Sequence, residues 1–333
     1  MVHALHPIHK YLIGLRGRKL GLFFGSRDGT DHRDVSSICS FSFTKDPNNP
    51  FLQEDILGEV VAIPMSPEQM LADQEMAVQR MHHAVKWSER DGIPVDVVGL
   101  GSLCSIVGSR GQALQEKLTV PVTTGNAATV WALYKNALQI NPHKKPMALL
   151  GTKSPVGKAL GYLLHQERIP LIVDAKKSIR PETGNDTLLQ SVGSAEECAA
   201  QAEYIIGCGP TGPILDAQVL RQHAVVLDVA LPYSFTNIEK RPDVHRYYAE
   251  RMSMPSNWHR RGWGRIYHMA SGYGYQTILA CLVEAAVLSA VRSNVPFAQG
   301  RSIEISSVLQ FGEASTQLGF LPVLSEKYWH LWG

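Results

Sequence analysis

The chain has 333 residues, 44% of them hydrophobic and 19% charged, with a formal net charge of +2. That length carries two domains of ordinary size, and the near-balanced charge leaves no nucleic-acid footprint. The five cysteines (Cys39, Cys104, Cys198, Cys208 and Cys281) form no Cys-x-x-Cys pair; this pattern excludes a zinc framework and a disulfide scaffold, so no metal site is expected.

The first residues lack the long apolar core of a signal peptide. The longest apolar run, residues 278–291, is interrupted by Glu284 and is too short to span a bilayer. A cytoplasmic protein with no integral membrane segment is therefore expected. A local basic cluster, His259-Arg-Arg-Gly-Trp-Gly-Arg265, reads as a solvated loop or as a docking patch for an acidic group.

Residues 11–64 read as strand-rich, with β-prone runs at 20–24, 38–44 and 59–64 separated by turn-forming clusters. Ser66, Pro67 and Glu68 spell a helix start, and the helix is predicted to run to about Asp91. Residues 95–101 read as a buried strand ending in glycine. A further strand at 120–123 leads through Thr124, Gly125 and Asn126 into a helix over 127–138. The segment 141–146, with two prolines and two lysines, reads as a boundary.

From Met147 the pattern becomes β-α-β: strands at 147–150, 170–174, 204–208 and 224–228, with helices after 157, over 194–202 and over 215–222. Short apolar strands alternating with helices imply a parallel sheet covered on both faces. The predicted fold class is α/β, with a Rossmann-type parallel-sheet domain (146–275) preceded by a smaller α/β substrate domain (1–145) and followed by a C-terminal helical segment (276–333). Residues 232–274 read as irregular. Strong helices are predicted over 276–292 and, interrupted, over 302–319.

The stretch 147–157 is a strand, a glycine-bounded turn and a helix start, a combination that favours an anion. Gly151 and Gly157 fit a G-x-x-G-x-x-G spacing, but Ser154 stands at the middle position. Gly151, Thr152, Ser154, Val156 and Gly157 are the candidate cofactor-binding residues of this loop. At the end of the second strand, Asp174 would bind the ribose hydroxyls of NAD. Lys176 and Lys177 would accept the extra phosphate of NADP. The lysines favour NADPH; they also read as ordinary surface charge. Cys281 shares a helical face with Ile278, Ala285 and Leu288, so the residues alone allow either a buried hydrophobe or a nucleophile.

Several blocks in order resemble one family, the NADPH-dependent long-chain acyl-[acyl-carrier-protein] reductases. They are Leu100-Gly-Ser-Leu-Cys-Ser-Ile-Val107, Thr123-Thr-Gly-Asn126, the loop Gly151 to Gly157, Val226-Leu-Asp228 with Pro232, Ala280-Cys-Leu-Val-Glu-Ala285, and Gly312-Glu-Ala-Ser315 with Gly319, Phe320 and Pro322. The resemblance implies that Cys281 attacks an acyl thioester carried by acyl carrier protein or coenzyme A, and that NADPH reduces the acyl-enzyme to an aldehyde. It places Ser105 and Thr124 beside the developing oxyanion and Asp228 in the cofactor site. Glu284, one turn after Cys281, would orient a donor or form a buried pair. The sequence departs from the family at Ser102, Cys104 and Ser154, and residues 243–275 do not align with it. Two alternatives remain open: a dehydrogenase or reductase of a small carbonyl or imine without covalent catalysis, and a nucleotide-binding homologue without catalysis. The oligomeric state is left open, with a homo-oligomer among the options.

Overall fold

A computed structural model of the chain describes residues 2–4, 36–63, 65–89, 92–174, 188–209, 214–229, 233–261 and 276–325. The fold is mixed α/β, with a parallel-rich central sheet and several helices.

The first half supplies strands β1 (Val2–Ala4), β2 (Ser36–Phe43), β3 (Ile56–Ile63), β4 (Val98–Gly101) and β5 (Val122–Thr123). The helix expected from Ser66 breaks in two, α1 (Pro67–Ala72) and α2 (Gln74–Ser88). The reason is local. Ser66 and Gln69 close a capping box at the first start, and the Asp73 side chain accepts from Met76 N–H to cap the second. Met81, Val85, Val98 and Leu100 form the core between α2 and the sheet.

Helix α3 (Asn126–Ile140) belongs to the second layer, although it precedes residue 146. Its Val130, Leu133 and Ala137 pack into one core with Met147, Leu160 and Leu171.

The second half opens with β6 (Met147–Leu150), α4 (Pro155–Gln166) and β7 (Leu171–Val173). Next come β8 (Leu189–Ser191), α5 (Ala195–Gln201) and β9 (Tyr204–Gly207). The helix expected over 215–222 is instead β10 (Leu215–Asp216) followed by a single 3₁₀ turn, because Asp216 turns its carboxylate onto Gln218 N–H and starts a tight turn. After β11 (Val225–Asp228), β12 (Phe235–Thr236) pairs with β10.

Residues expected to be irregular form a nine-residue strand, β13 (His245–Ser253), and then β14 (Trp258–Arg261). The C-terminal part adds β15 (Thr277–Leu279), α6 (Ala280–Ala290), α7 (Ile305–Gln317) and β16 (Pro322–Ser325).

One sheet has the order β14-β2-β3-β1-β4-β5 and the other β15-β13-β11-β9-β6-β7-β8, with β16 also on β13. From β8 to β13 every pairing in the second sheet is parallel. The chain therefore reverses its direction of travel across the sheet between β6 and β9. A third core, with Phe43, Trp258, Ile278, Val283, Phe311 and Phe320, lies between the halves. Among the described residues, no helix is long and apolar enough to cross a membrane.

Candidate functional site

Cys281 was expected in the second turn of a helix starting near 276. The run Thr277–Leu279, with β-branched Thr277 and Ile278, instead joins β13 as a strand, and the helix begins at Ala280. Cys281 is thus the second residue of α6, in the first turn, where backbone N–H groups and the helix dipole favour a negative sulfur. Leu279 at the N-cap supplies no side-chain hydrogen bond, so those N–H groups are left to the thiol or to a ligand.

Opposing forces are larger. The residue is partly exposed, but burial of the thiol first, then the carboxyls of Glu284 and Glu250, push it up to about 12. The resting thiol is protonated.

Gly125, at the N-cap of α3, lies directly against this helix start. It holds φ +74°, and an added Cβ would lie 2.4 Å from the Cβ and 2.6 Å from the Cα of Cys281. Only glycine admits that approach. Glu284 is fully buried. It accepts from Thr123 Oγ1 and, at 2.7 Å, from Ala128 N–H. The N–H groups of Gly125 and Ala127 also favour its charge. A carboxylate of one helix therefore caps the start of another. Burial outweighs these donors and lifts Glu284 to about 7.

Thr124 is buried beside Gly125, and its hydroxyl donates to the Ala298 carbonyl at 3.2 Å. Ser105 ends the buried 3₁₀ turn after β4, a strand against which α6 packs. Cys104 is a fully buried member of the first-half core.

The turn after β6 is held by its own residues. Asp174 accepts from Gly151 N–H at 3.1 Å and from Thr152 Oγ1 at 2.8 Å. Ser154 caps α4 through Gly157 N–H at 2.9 Å, and its hydroxyl donates to the Cys208 carbonyl at 3.1 Å. Gly151 is required because a Cβ there would lie 2.4 Å from Gly209 N. Gly157 is required by the Gly151 carbonyl, also at 2.4 Å from such a Cβ. Val156 packs on the α3–β6 core. Both glycines and the serine are explained by the chain packing on itself.

Asp228 is fully buried, accepts from Ser234 N–H at 2.9 Å and pairs with Arg246 at 3.3 Å. Lys176 and Lys177 lie outside the described residues, as do Pro232 and the end of the basic cluster. Among the described residues no group of three or more His, Cys, Asp or Glu side chains could hold a metal.

Sequence reasoning missed Glu250, on β13. Burial pushes its carboxyl up to about 7 against the pull of Arg251. Its segment carries two arginines and a histidine between residues 245 and 251, and that charge masked a strand.

No family model matches the chain. It is similar to the aminotransferase PigE of Serratia sp. (strain ATCC 39006), 27% identical over 282 residues, covering 79% of this chain and 32% of that protein. The chain thus spans about a third of the length of the curated relative it matches.

That similarity overturns the resemblance to the acyl-carrier-protein reductases, and with it the expected NADPH-dependent reduction of an acyl thioester to an aldehyde. The alternative reading as a small-carbonyl reductase fits it no better. NADPH as the cofactor falls too. The loop agrees with this correction: the acid expected to bind the cofactor ribose, Asp174, is spent on Gly151 and Thr152.

Proposed function

We propose that the chain serves transamination by binding the amine or carbonyl substrate at the Cys281 site. The supporting observation is the similarity to an aminotransferase over 79% of the chain, joined to an enclosed thiol at a helix start flanked by two carboxyls. The strand order β8-β7-β6-β9-β11-β13 supports a Rossmann-type reading of the second half, in which ligands bind beyond the carboxyl ends of the strands.

Transamination is carried by pyridoxal phosphate held on a lysine, with an acidic or basic partner at its ring nitrogen. The described residues do not fit that group. Lys45, Lys86, Lys117, Lys135, Lys144, Lys145, Lys153, Lys158 and Lys240 are all exposed. A lysine that holds a cofactor needs a desolvated setting to lower its pKa. No step is therefore derived through it.

On the reading proposed, the first-turn N–H groups of α6 stabilise a carbonyl oxygen lying over Cys281. Glu284 holds α6 against α3, and Thr124 and Ser105 close the site on the β4–β5 side. The test is borohydride reduction of the chain with pyridoxal phosphate, followed by peptide mapping, alongside thermal-shift titration with a panel of amines and their carbonyl counterparts. The expected result is no pyridoxyl group on any described lysine, and stabilisation by an amine or carbonyl that Cys281→Trp abolishes. A modified lysine among those nine overturns their exclusion as the cofactor's anchor, and no stabilisation by any member of the panel overturns the substrate-binding reading.

A further inference from the structure

We infer that Glu250 receives the ammonium group of an amine substrate bound beside Cys281, an inference that deepens the substrate-binding reading above and rests on it. Three features of β13 carry it. Pairing with β16 runs Tyr248↔Ser325 and then Arg251↔Val323. β13 advances three residues while β16 advances two. This is a bulge, a device that re-aims a side chain at a strand end. The last β11 partner is Asp228, opposite Tyr248, so Glu250 lies beyond the carboxyl end of β11, where α/β sheets take their ligands. Further along the same edge, Arg251 is opposite Leu279, with β16 on the far edge. The same register brings Glu250 to Ala280, with Cys281 the next residue.

The chemistry of Glu250 is incomplete. Its Oε2 is shielded from solvent and has no hydrogen-bond partner among the described residues. A buried carboxyl oxygen left so costs free energy that a donor would recover. Arg251 and Arg246 act on Glu250 through their charge, but neither donates a hydrogen bond to Oε2. Arg246 pairs with Asp228 at 3.3 Å and stacks 4.1 Å from the Tyr233 ring centroid. Arg251 lies over the Tyr248 ring at 5.7 Å. Glu250 and Glu284 both disfavour negative charge on the Cys281 thiol. A primary ammonium, compact and with three donors, suits an acidic site with one open oxygen. A neutral carbonyl alone would leave Oε2 without a donor.

The test uses the whole chain, n-butylamine as the probe and n-butanol as its uncharged control. At about pH 8 the amine is protonated, as a lysine is. Alkylation of Cys281 by iodoacetamide is followed by peptide mass spectrometry. Butylamine is expected to slow alkylation saturably and butanol to leave it unchanged. Glu250→Gln is expected to raise the half-protecting amine concentration about tenfold, equivalent to roughly 1.4 kcal/mol. Circular dichroism and a melting curve verify folding. Should the glutamine variant not fold, Glu250→Asp, which keeps the charge but retracts it by one methylene, is expected to show a smaller loss.

Equal protection by butanol, no protection by the amine, or protection unchanged in a folded Glu250 variant overturns the inference. Its failure is separable from that of the function. A pyridoxyl group on one of those nine lysines defeats the exclusion of the cofactor from them without altering amine protection. A Glu250 variant that protects normally defeats only the assignment of Glu250.

Discussion

Gly125 and Cys281 meet backbone to backbone, so closely that one added methyl at position 125 would lie 2.8 Å from the Cys281 carbonyl oxygen. The contact joins the start of α3 to the start of α6. Gly125→Ala is expected to destabilise the chain by about 1–3 kcal/mol, combining a positive φ with a clash against backbone that cannot yield. Equilibrium unfolding in urea measures it. An unchanged midpoint would show that the two helix starts are less closely seated.

The protonated thiol has a kinetic signature. With its pKa at about 12, Cys281 should react slowly with iodoacetamide near neutrality, and its rate should climb about tenfold per pH unit through the mildly alkaline range. Glu284→Gln removes a negative charge from beside the sulfur, which lowers the thiol pKa. At a fixed pH above about 8 that variant is expected to alkylate several-fold faster. A slower variant would place the carboxylate on the opposite side of the balance, as an aid to thiolate formation.

Glu284 also links stability to acidity. Its folded pKa, about 7, lies above the ordinary glutamate value of 4.5. The folded state therefore holds the proton more tightly. The stabilisation is complete below the unfolded pKa and is lost as pH rises from about 4.5 through about 7. Between those limits the melting temperature of the wild type should fall more steeply with rising pH than that of Glu284→Gln. Glu250, raised to about 7 as well, keeps part of the slope in the variant. Parallel slopes for the two proteins would remove Glu284 as the cause.

The turn after β6 predicts a structural phenotype. Ser154→Ala deletes the cap of α4 and the bond to the Cys208 carbonyl, at a cost of about 1–2 kcal/mol. Asp174→Ala strands Gly151 N–H and Thr152 Oγ1 and is expected to cost a similar amount. Urea midpoints measure both. If either variant matches the wild type in stability while losing ligand protection of Cys281, the loop works for the ligand rather than for the fold.

The alternating half of the molecule was open to reading because its strands are short, apolar and bounded by glycine or proline. Met147–Leu150, Leu171–Val173, Tyr204–Gly207 and Val225–Asp228 fall where the hydrophobic runs placed them. β13 was hidden for a physical reason. Its Arg246 is accommodated by Asp228 and the Tyr233 ring, partners distant in sequence, and Arg251 lies over the nearby Tyr248 ring. The same long-range pairing concealed the site. A lone acid in Tyr-Tyr-Ala-Glu-Arg gives no hint of a bulge, and Asp174 carries no mark that it will turn back onto Gly151. The glycines were visible, but their purpose was not. A glycine that lets a phosphate approach and one that lets a neighbouring loop approach are written alike, which is how a self-packed turn could pass for a cofactor fingerprint.

β14 pairs with β2 along Phe41↔Arg260 and its neighbours, with Trp258 stacked on Phe41 at 4.3 Å, while α3 packs with the later strands. Each half thus completes itself with a piece of the other. A cut at residue 145 would leave one fragment short of an outer strand and the other short of a covering helix. Neither is a foldable part, and recombination that keeps this site must move both halves together.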